Sequence, residues 1–167
     1  PNAKLLRGAT IHPEFCLPSS LHDEIIRQFG PWPEEGIPNT ARYSRAVDIM
    51  SNYVLGERKP VVAMIWSSEP DKAQHAYGVG SEVANAAIHE ADQQFGRLLA
   101  WLQDSGAADE TDVLVVSDHG YSTIIDTVNI EALIREAGFP PGDEPGGLFV
   151  APNGGAVLFY IHGRDRI

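Results

Sequence analysis

The sequence predicts an α/β fold with a mostly parallel sheet flanked by helices. Two short, continuous apolar runs, residues 61–66 and 113–116, indicate strands buried on both faces, as strands of parallel sheets are. A long amphipathic segment between them provides the helix of a βαβ unit, whose right-handed crossover brings both strands into one sheet. We therefore expect Ile65 and Val115 to be fully buried, so that truncating either to Ala costs about 2–4 kcal/mol.

The chain before the first predicted strand is expected to be largely irregular. Pro residues interrupt residues 1–44 repeatedly and leave room for one short helix at about 20–29, which Gly30 ends. The apolar residues with helical spacing in this helix are Leu21, Ile25, Ile26 and Phe29. A second helix begins at Ser44 and ends at Gly56. Its apolar face consists of Ala46, Val47, Met50, Tyr53 and Val54.

The later elements follow from the same patterns. The long helix covers residues 81–104, and its apolar face consists of Ala84, Ala87, Ile88, Ala91, Phe95, Leu98, Leu99 and Leu102. A further helix is expected at 130–137, with Asn129 as its N-cap. Residues 138–155, rich in Pro and Gly, predict a loop or a sharply turned hairpin, and residues 156–161 predict another strand.

Composition limits the class of function. The chain of 167 residues carries 12 Lys and Arg against 23 Asp and Glu, a net charge of −11, which argues against binding to a nucleic-acid backbone. A phosphate substrate remains possible, because bound metal ions can reverse the local field. The single Cys16 excludes an intrachain disulfide. Neither a signal-peptide core nor an apolar run of about 18 residues is present, so the compartment stays open, as does the oligomeric state.

Two polar clusters directly follow the two predicted strands. Asp71 and His75 come after the first strand, and Asp118 and His119 come after the second. Ligands of open α/β sheets bind at the carboxyl ends of the strands, so these four side chains should converge there. Carboxylates and neutral imidazoles are good ligands for zinc, manganese or iron, which suggests two metal ions about 3.5–4 Å apart. The alternative is that each Asp caps a helix and each His is solvated.

Three elements in this order and spacing resemble the type I phosphodiesterase/nucleotide pyrophosphatase family of the alkaline phosphatase superfamily, over residues 45–125. They are Glu69-Pro70-Asp71 followed by His75 and Gly78, a long helix containing Asp92, and the run from Asp112 to Gly120. Two residues depart from the family pattern. Gln74 stands where Gly often precedes the His, and Ser81 stands where Pro is common.

The resemblance implies an alkaline phosphatase-like fold and hydrolysis of phosphodiester or pyrophosphate bonds. The implied substrate is a small phosphate ester or a nucleotide-like molecule, and the implied cofactors are two divalent ions, zinc by preference. Carried over from the family, Asp71 and His75 would hold one ion, and Asp118 and His119 would hold the other.

The family's nucleophile, upstream Asp and downstream His have no convincing counterpart, so the catalytic nucleophile is not located. Thr40 follows a Pro-Asn pair that the family's nucleophile precedes, and His162 comes too soon after the second motif. We therefore expect an internal segment that is inactive by itself, with the nucleophile before Pro1 and the last ligand after Ile167. The expectation is one partial catalytic domain over 1–167. Its parts are an irregular segment at 1–44, a metal-motif βαβ core at 45–125, and a helix, loop and strand at 126–167.

Two other classes of function stay open. A phosphonate hydrolase, sulfatase or mutase of the same superfamily would share Asp118-His119-Gly120. Sulfatases also mature a Cys within Cys-x-Pro-x-Arg, but Ser20 replaces that Arg here, so Cys16 is expected to be a small buried thiol. The second class is a metal-binding fragment that does not catalyse.

Overall fold

The computed structural model describes residues 8–162, so the expected limits at Pro1 and Ile167 lie outside the described residues. These residues form two compact units, 8–123 and 124–162. The predicted α/β content is present: the described residues contain five α-helices and two antiparallel sheets of two strands each. None of the helices in this part of the chain is long and apolar enough to cross a membrane.

The first unit is mainly helical. Its elements in chain order are β1 (Thr10–Ile11), β2 (Cys16–Leu17), α1 (Leu21–Phe29), α2 (Thr40–Ile49), a π-helix (Met50–Arg58), α3 (Asp71–Tyr77), α4 (Glu82–Asp104) and a 3-10 turn (Ala108–Glu110). Strands β1 and β2 pair as a short antiparallel hairpin. Helix α4 packs against both α2 and α3, and α1 packs against α2.

The predicted helices of this unit are confirmed, and one extends further than expected. Helix α4 begins where predicted, because the Ser81 side chain accepts a hydrogen bond of 3.1 Å from the backbone N–H of Ala84. The second helix begins at Thr40 rather than Ser44 and continues through Gly56 as a π-helix. Lys59 ends it in the left-handed region, with φ of 47°.

Two separate apolar clusters hold the first unit together. The larger joins β2, α1, α2 and the π-helix through Cys16, Leu21, Ile25, Ile49 and Tyr53. The smaller consists of Ala73, Ala84 and Ala87, each with 0% exposure. Since Ala side chains are small, α3 and α4 approach each other closely at this second cluster. The contact fixes the position of α3, which carries the first polar motif.

The predicted strands at 61–66 and 113–116 are not strands in the structure. Val115 is 75% exposed and Ile65 is half-buried, so the prediction that both are fully buried is wrong here. The physical reason is pairing: a strand needs a hydrogen-bonded neighbour, and neither run belongs to a sheet among residues 8–162. Their apolar character alone does not provide hydrogen-bonded neighbours. No parallel sheet forms among residues 8–162.

The second unit combines one helix with a β-hairpin. Helix α5 covers Ile130–Glu136 as predicted, and Asn129 caps it by accepting a hydrogen bond of 3.0 Å from the backbone N–H of Ala132. The predicted strand at 156–161 is confirmed as β4 (Ala156–Ile161), which pairs antiparallel with β3 (Leu148–Asn153). The predicted loop or hairpin thus contains β3, and the two-residue turn between the strands uses Gly154 at φ of 59°.

Candidate metal centre

Helix α3 presents the first Asp–His pair. Asp71 is its first residue and His75 follows four residues later, so both side chains lie on the same face of the helix. The Nε2 atom of His75 lies 3.7 Å from Oδ1 of Asp71. Both side chains are substantially exposed, so solvent or a substrate can reach them.

A buried carboxylate anchors the beginning of α3. Glu69 is 5% exposed, and its Oε2 accepts a hydrogen bond of 3.1 Å from the backbone N–H of Ala73. Its Oε1 accepts a bond of 2.7 Å from the backbone N–H of Asn39, the residue that precedes α2. One side chain therefore ties α3 to α2, and its negative charge is favourable at a helix N-terminus. The sequence motif contained Glu69, but its pattern gave no sign of this role.

The second Asp–His pair lies on a segment without regular secondary structure. The backbone N–H of His119 donates to Oδ1 of Asp118 over 3.0 Å. The Nδ1 atom of His119 lies 3.1 Å from the carbonyl oxygen of Gly120. In the tautomer with hydrogen on Nδ1, that nitrogen donates to the carbonyl and Nε2 keeps a free lone pair. Histidines that bind metals are commonly oriented by such a bond.

The structure brings all four predicted side chains together, and we name them the quartet: Asp71, His75, Asp118 and His119. The Nε2 atom of His119 lies 3.6 Å from Oδ1 of Asp71 and 3.6 Å from Oδ2 of Asp118. Oδ1 of Asp71 is therefore close to both imidazoles. The two motifs meet although more than forty residues separate them in the chain.

Tyr121 joins the quartet, although the sequence patterns did not single it out. Its hydroxyl donates a hydrogen bond to Oδ1 of Asp71 and lies 3.3 Å from the Asp71 carbonyl oxygen. Its ring contacts the imidazoles of His75 and His119, with centroids 5.2 Å and 5.3 Å away. Partial burial, the hydrogen bond to Asp71 and the charges of Asp71 and Asp118 raise the pKa of Tyr121 to about 12. The phenol is therefore a neutral hydrogen-bond donor at ordinary pH.

The donor set of the quartet suits divalent zinc. Two carboxylates and two imidazoles are oxygen and nitrogen ligands that zinc accepts. Tetrahedral zinc with ligand distances of about 2.0–2.1 Å places neighbouring donor atoms about 3.3 Å apart. The distances within the pairs are slightly longer: 3.7 Å between Asp71 and His75, and 3.6 Å between Asp118 and His119. Among residues 8–162 no three His, Cys, Asp or Glu side chains are already gathered as around an ion. The donor chemistry therefore fits zinc, although the described side chains are not arranged as around a bound ion.

An open groove of about 710 Å³ borders the first pair. Its lining residues are Glu35, Gly36, Ile37, Asp71, Lys72, His75 and Ala76. Glu35 forms an ion pair with Lys72, and its Oε2 lies 3.5 Å from Nη1 of Arg42. A group of oppositely charged side chains therefore borders the groove. The volume lies within the usual range of about 300–1,000 Å³ for small-molecule sites.

Three other residues were considered as candidates from the sequence, and none of them belongs to the quartet. Cys16 is a buried free thiol within the larger apolar cluster, as predicted, which does not suit a matured catalytic Cys. Thr40 is the first residue of α2, and no described hydrogen bond joins it to the quartet. His162 follows β4, where its backbone N–H donates to the carbonyl of Gly147 over 3.0 Å.

An α/β protein that gathers two Asp–His pairs has the donor chemistry of a metal-dependent hydrolase. A family model described as type I phosphodiesterase / nucleotide pyrophosphatase matches residues 10–166, most of the chain. The chain belongs to this hydrolase family, as its sequence motifs predicted, and membership implies an alkaline phosphatase-like fold. No curated protein and no solved structure matches the chain.

Proposed function

We propose that the protein takes part in metal-dependent hydrolysis of phosphodiester or pyrophosphate bonds in small phosphate-ester or nucleotide-like substrates. The observation that carries this proposal is the meeting of the two Asp–His pairs, with Oδ1 of Asp71 within 3.7 Å of both imidazoles. Family membership supports the reaction class. The open groove beside His75 places solvent-accessible space next to the first pair.

Within this proposal, Asp71 and His75 hold one divalent ion, and Asp118 and His119 hold the second. Bound ions of this kind stabilise charge on phosphoryl oxygens and favour ionisation of a hydroxyl nucleophile. The carboxylates provide negative charge to the site. His119 binds through Nε2, because its Nδ1 faces the Gly120 carbonyl. Imidazole binds metal only when deprotonated, so acid pH weakens binding.

We further propose that the chain alone binds these ions weakly and does not turn over substrate. Each pair provides two protein ligands, whereas catalytic zinc usually has three protein ligands and one open position. The family's nucleophile has no convincing counterpart in the sequence, and without one the covalent step cannot take place. The missing metal ligands and nucleophile also support our proposal that residues 1–167 are one partial catalytic domain around a core at 45–125.

A diesterase assay tests the reaction class. The longest available gene product containing this chain should hydrolyse bis(p-nitrophenyl) phosphate, and a chelator should abolish the reaction until zinc is restored. The chain by itself should give no signal above buffer under the same conditions. Chelator-resistant activity would contradict metal dependence, and zinc-dependent turnover by the chain alone would contradict its proposed inactivity.

We also propose that the runs 61–66 and 113–116 are strands of the mostly parallel sheet that an alkaline phosphatase-like fold requires. Their most exposed side chains are Val61, Val62, Leu114 and Val116, with exposures between 83% and 103%. Continuous exposed apolar surface of this kind is characteristic of surfaces that become covered. Family membership supports the interpretation that these side chains become buried when the two runs join a sheet.

Amide hydrogen exchange tests the strand proposal. In the longest gene product, amides of both runs should exchange at least as slowly as those in the middle of α4, because a central ladder protects its N–H groups. Residues 122–125, which are exposed and have no helix or strand assignment, serve as the fast reference. Exchange of both runs at the reference rate would rule out their pairing in a sheet.

A further inference from the structure

Tyr121 lies where the two motifs meet. It follows His119 by two residues in the chain, yet its hydroxyl bonds to Asp71 on helix α3. Among the described residues, it is the only side chain that donates a hydrogen bond to the Asp71 carboxylate. The two imidazoles lie 3.6 Å and 3.7 Å from the same oxygen, beyond the usual hydrogen-bond distance of about 2.7–3.2 Å. The orientation of this carboxylate thus depends on Tyr121.

We propose that Tyr121 is a positioning residue that holds the Asp71 carboxylate ready for a divalent ion. This role rests on the proposed function of the quartet. An ionised carboxylate has two oxygens and about four lone-pair sites. The hydroxyl occupies one lone-pair site on Oδ1 and restrains rotation of the group, while the remaining lone-pair sites of the carboxylate stay available to an ion. A neutral donor does this without adding a positive charge that would repel the ion.

The Tyr121 ring extends the same role to the histidines. It meets the His75 ring edge-on, with an interplanar angle of 80°, and the His119 ring at a tilt of 58°. Aromatic pairs with centroids about 4.5–7 Å apart are favourable in such arrangements. One side chain therefore contacts donors from both Asp–His pairs and limits the movement of the irregular second segment relative to α3.

Tyr121→Phe separates the hydroxyl from the ring, because the ring contacts remain and only the bond to Asp71 is lost. Isothermal titration with Zn²⁺ of the longest gene product that contains this chain should show an affinity about 10–100-fold weaker for Tyr121→Phe than for the unsubstituted protein, as when other residues that orient metal ligands are lost. Tyr77→Phe removes the same atom from an exposed Tyr at the end of α3 and should leave the affinity unchanged. Melting without zinc should be the same for all three proteins, which excludes a general loss of structure.

The possible outcomes separate this role from the function of the quartet. Equal zinc affinity in Tyr121→Phe and the unsubstituted chain would overturn the positioning role, and the site itself would stand. Tighter binding would also overturn it, since the hydroxyl would then compete with the ion for Oδ1. Absence of zinc binding by the unsubstituted longest gene product, titrated to millimolar metal, would overturn the site and the positioning role together.

Discussion

Replacing His119 with Ala in the longest gene product that contains this chain should lower its zinc affinity by more than about 100-fold, beyond the 10–100-fold loss typical of a residue that only orients a metal ligand. The change removes a proposed ligand whose Nε2 lies 3.6 Å from both Asp71 and Asp118. The change also leaves the carboxylates of Asp71 and Asp118 without the imidazole that lies next to both of them. Isothermal titration with Zn²⁺ measures the effect.

The matched control for this variant is His89→Ala. His89 is exposed on helix α4 and contacts the Gln93 side chain at 2.9 Å, so its loss removes an imidazole away from the quartet. The zinc affinity of the His89→Ala variant should equal that of the unsubstituted protein. Similar losses in both variants would mean that zinc binds histidines nonspecifically, which would contradict the proposed centre.

Replacing Glu69 with Ala should lower the free energy of unfolding of the first unit by about 3–5 kcal/mol. The change leaves the backbone N–H groups of Asn39 and Ala73 without their acceptor, and hydrogen bonds to charged groups contribute about 1.5–3 kcal/mol each. This is a large share of a typical total of about 5–15 kcal/mol. Urea unfolding followed by tryptophan fluorescence measures the change, because all three Trp residues lie in the first unit.

Glu34→Ala provides the reference for this experiment, because Glu34 is exposed and close in sequence to the Asn39 contact. It should shift the unfolding midpoint little, within about 0.5 kcal/mol as for most surface changes. A midpoint for Glu69→Ala no lower than that of the reference would show that the buried carboxylate does not anchor α3.

Local patterns in the sequence were sufficient to predict four of the five described α-helices, whereas α3 was not predicted. The apolar spacing within 81–104 and the cap at Asn129 depend on residues close in the chain, and the structure contains both helices. The strand at 156–161 could also be predicted, because its partner is connected by a turn of two residues. The runs at 61–66 and 113–116 differ, since a parallel strand depends on distant neighbours that a local pattern does not specify.

The candidate site was predictable to the extent that it depends on motifs. Asp71, His75, Asp118 and His119 could be chosen because each pair follows an apolar run and matches a family pattern. Tyr121 could not be chosen in this way, because its contact with Asp71 depends on how the irregular second segment approaches α3. The available signal was the position of Tyr121, a hydrogen-bond donor that directly follows the second motif.

The division of the described residues into two units affects how unfolding must be observed. All three Trp residues, Trp32, Trp66 and Trp101, belong to the first unit. Intrinsic tryptophan fluorescence therefore follows that unit and ignores the hairpin and helix α5, whereas a far-ultraviolet signal sums both. If the units melt separately, the two probes give different midpoints, and neither curve alone defines a single melting temperature for the protein.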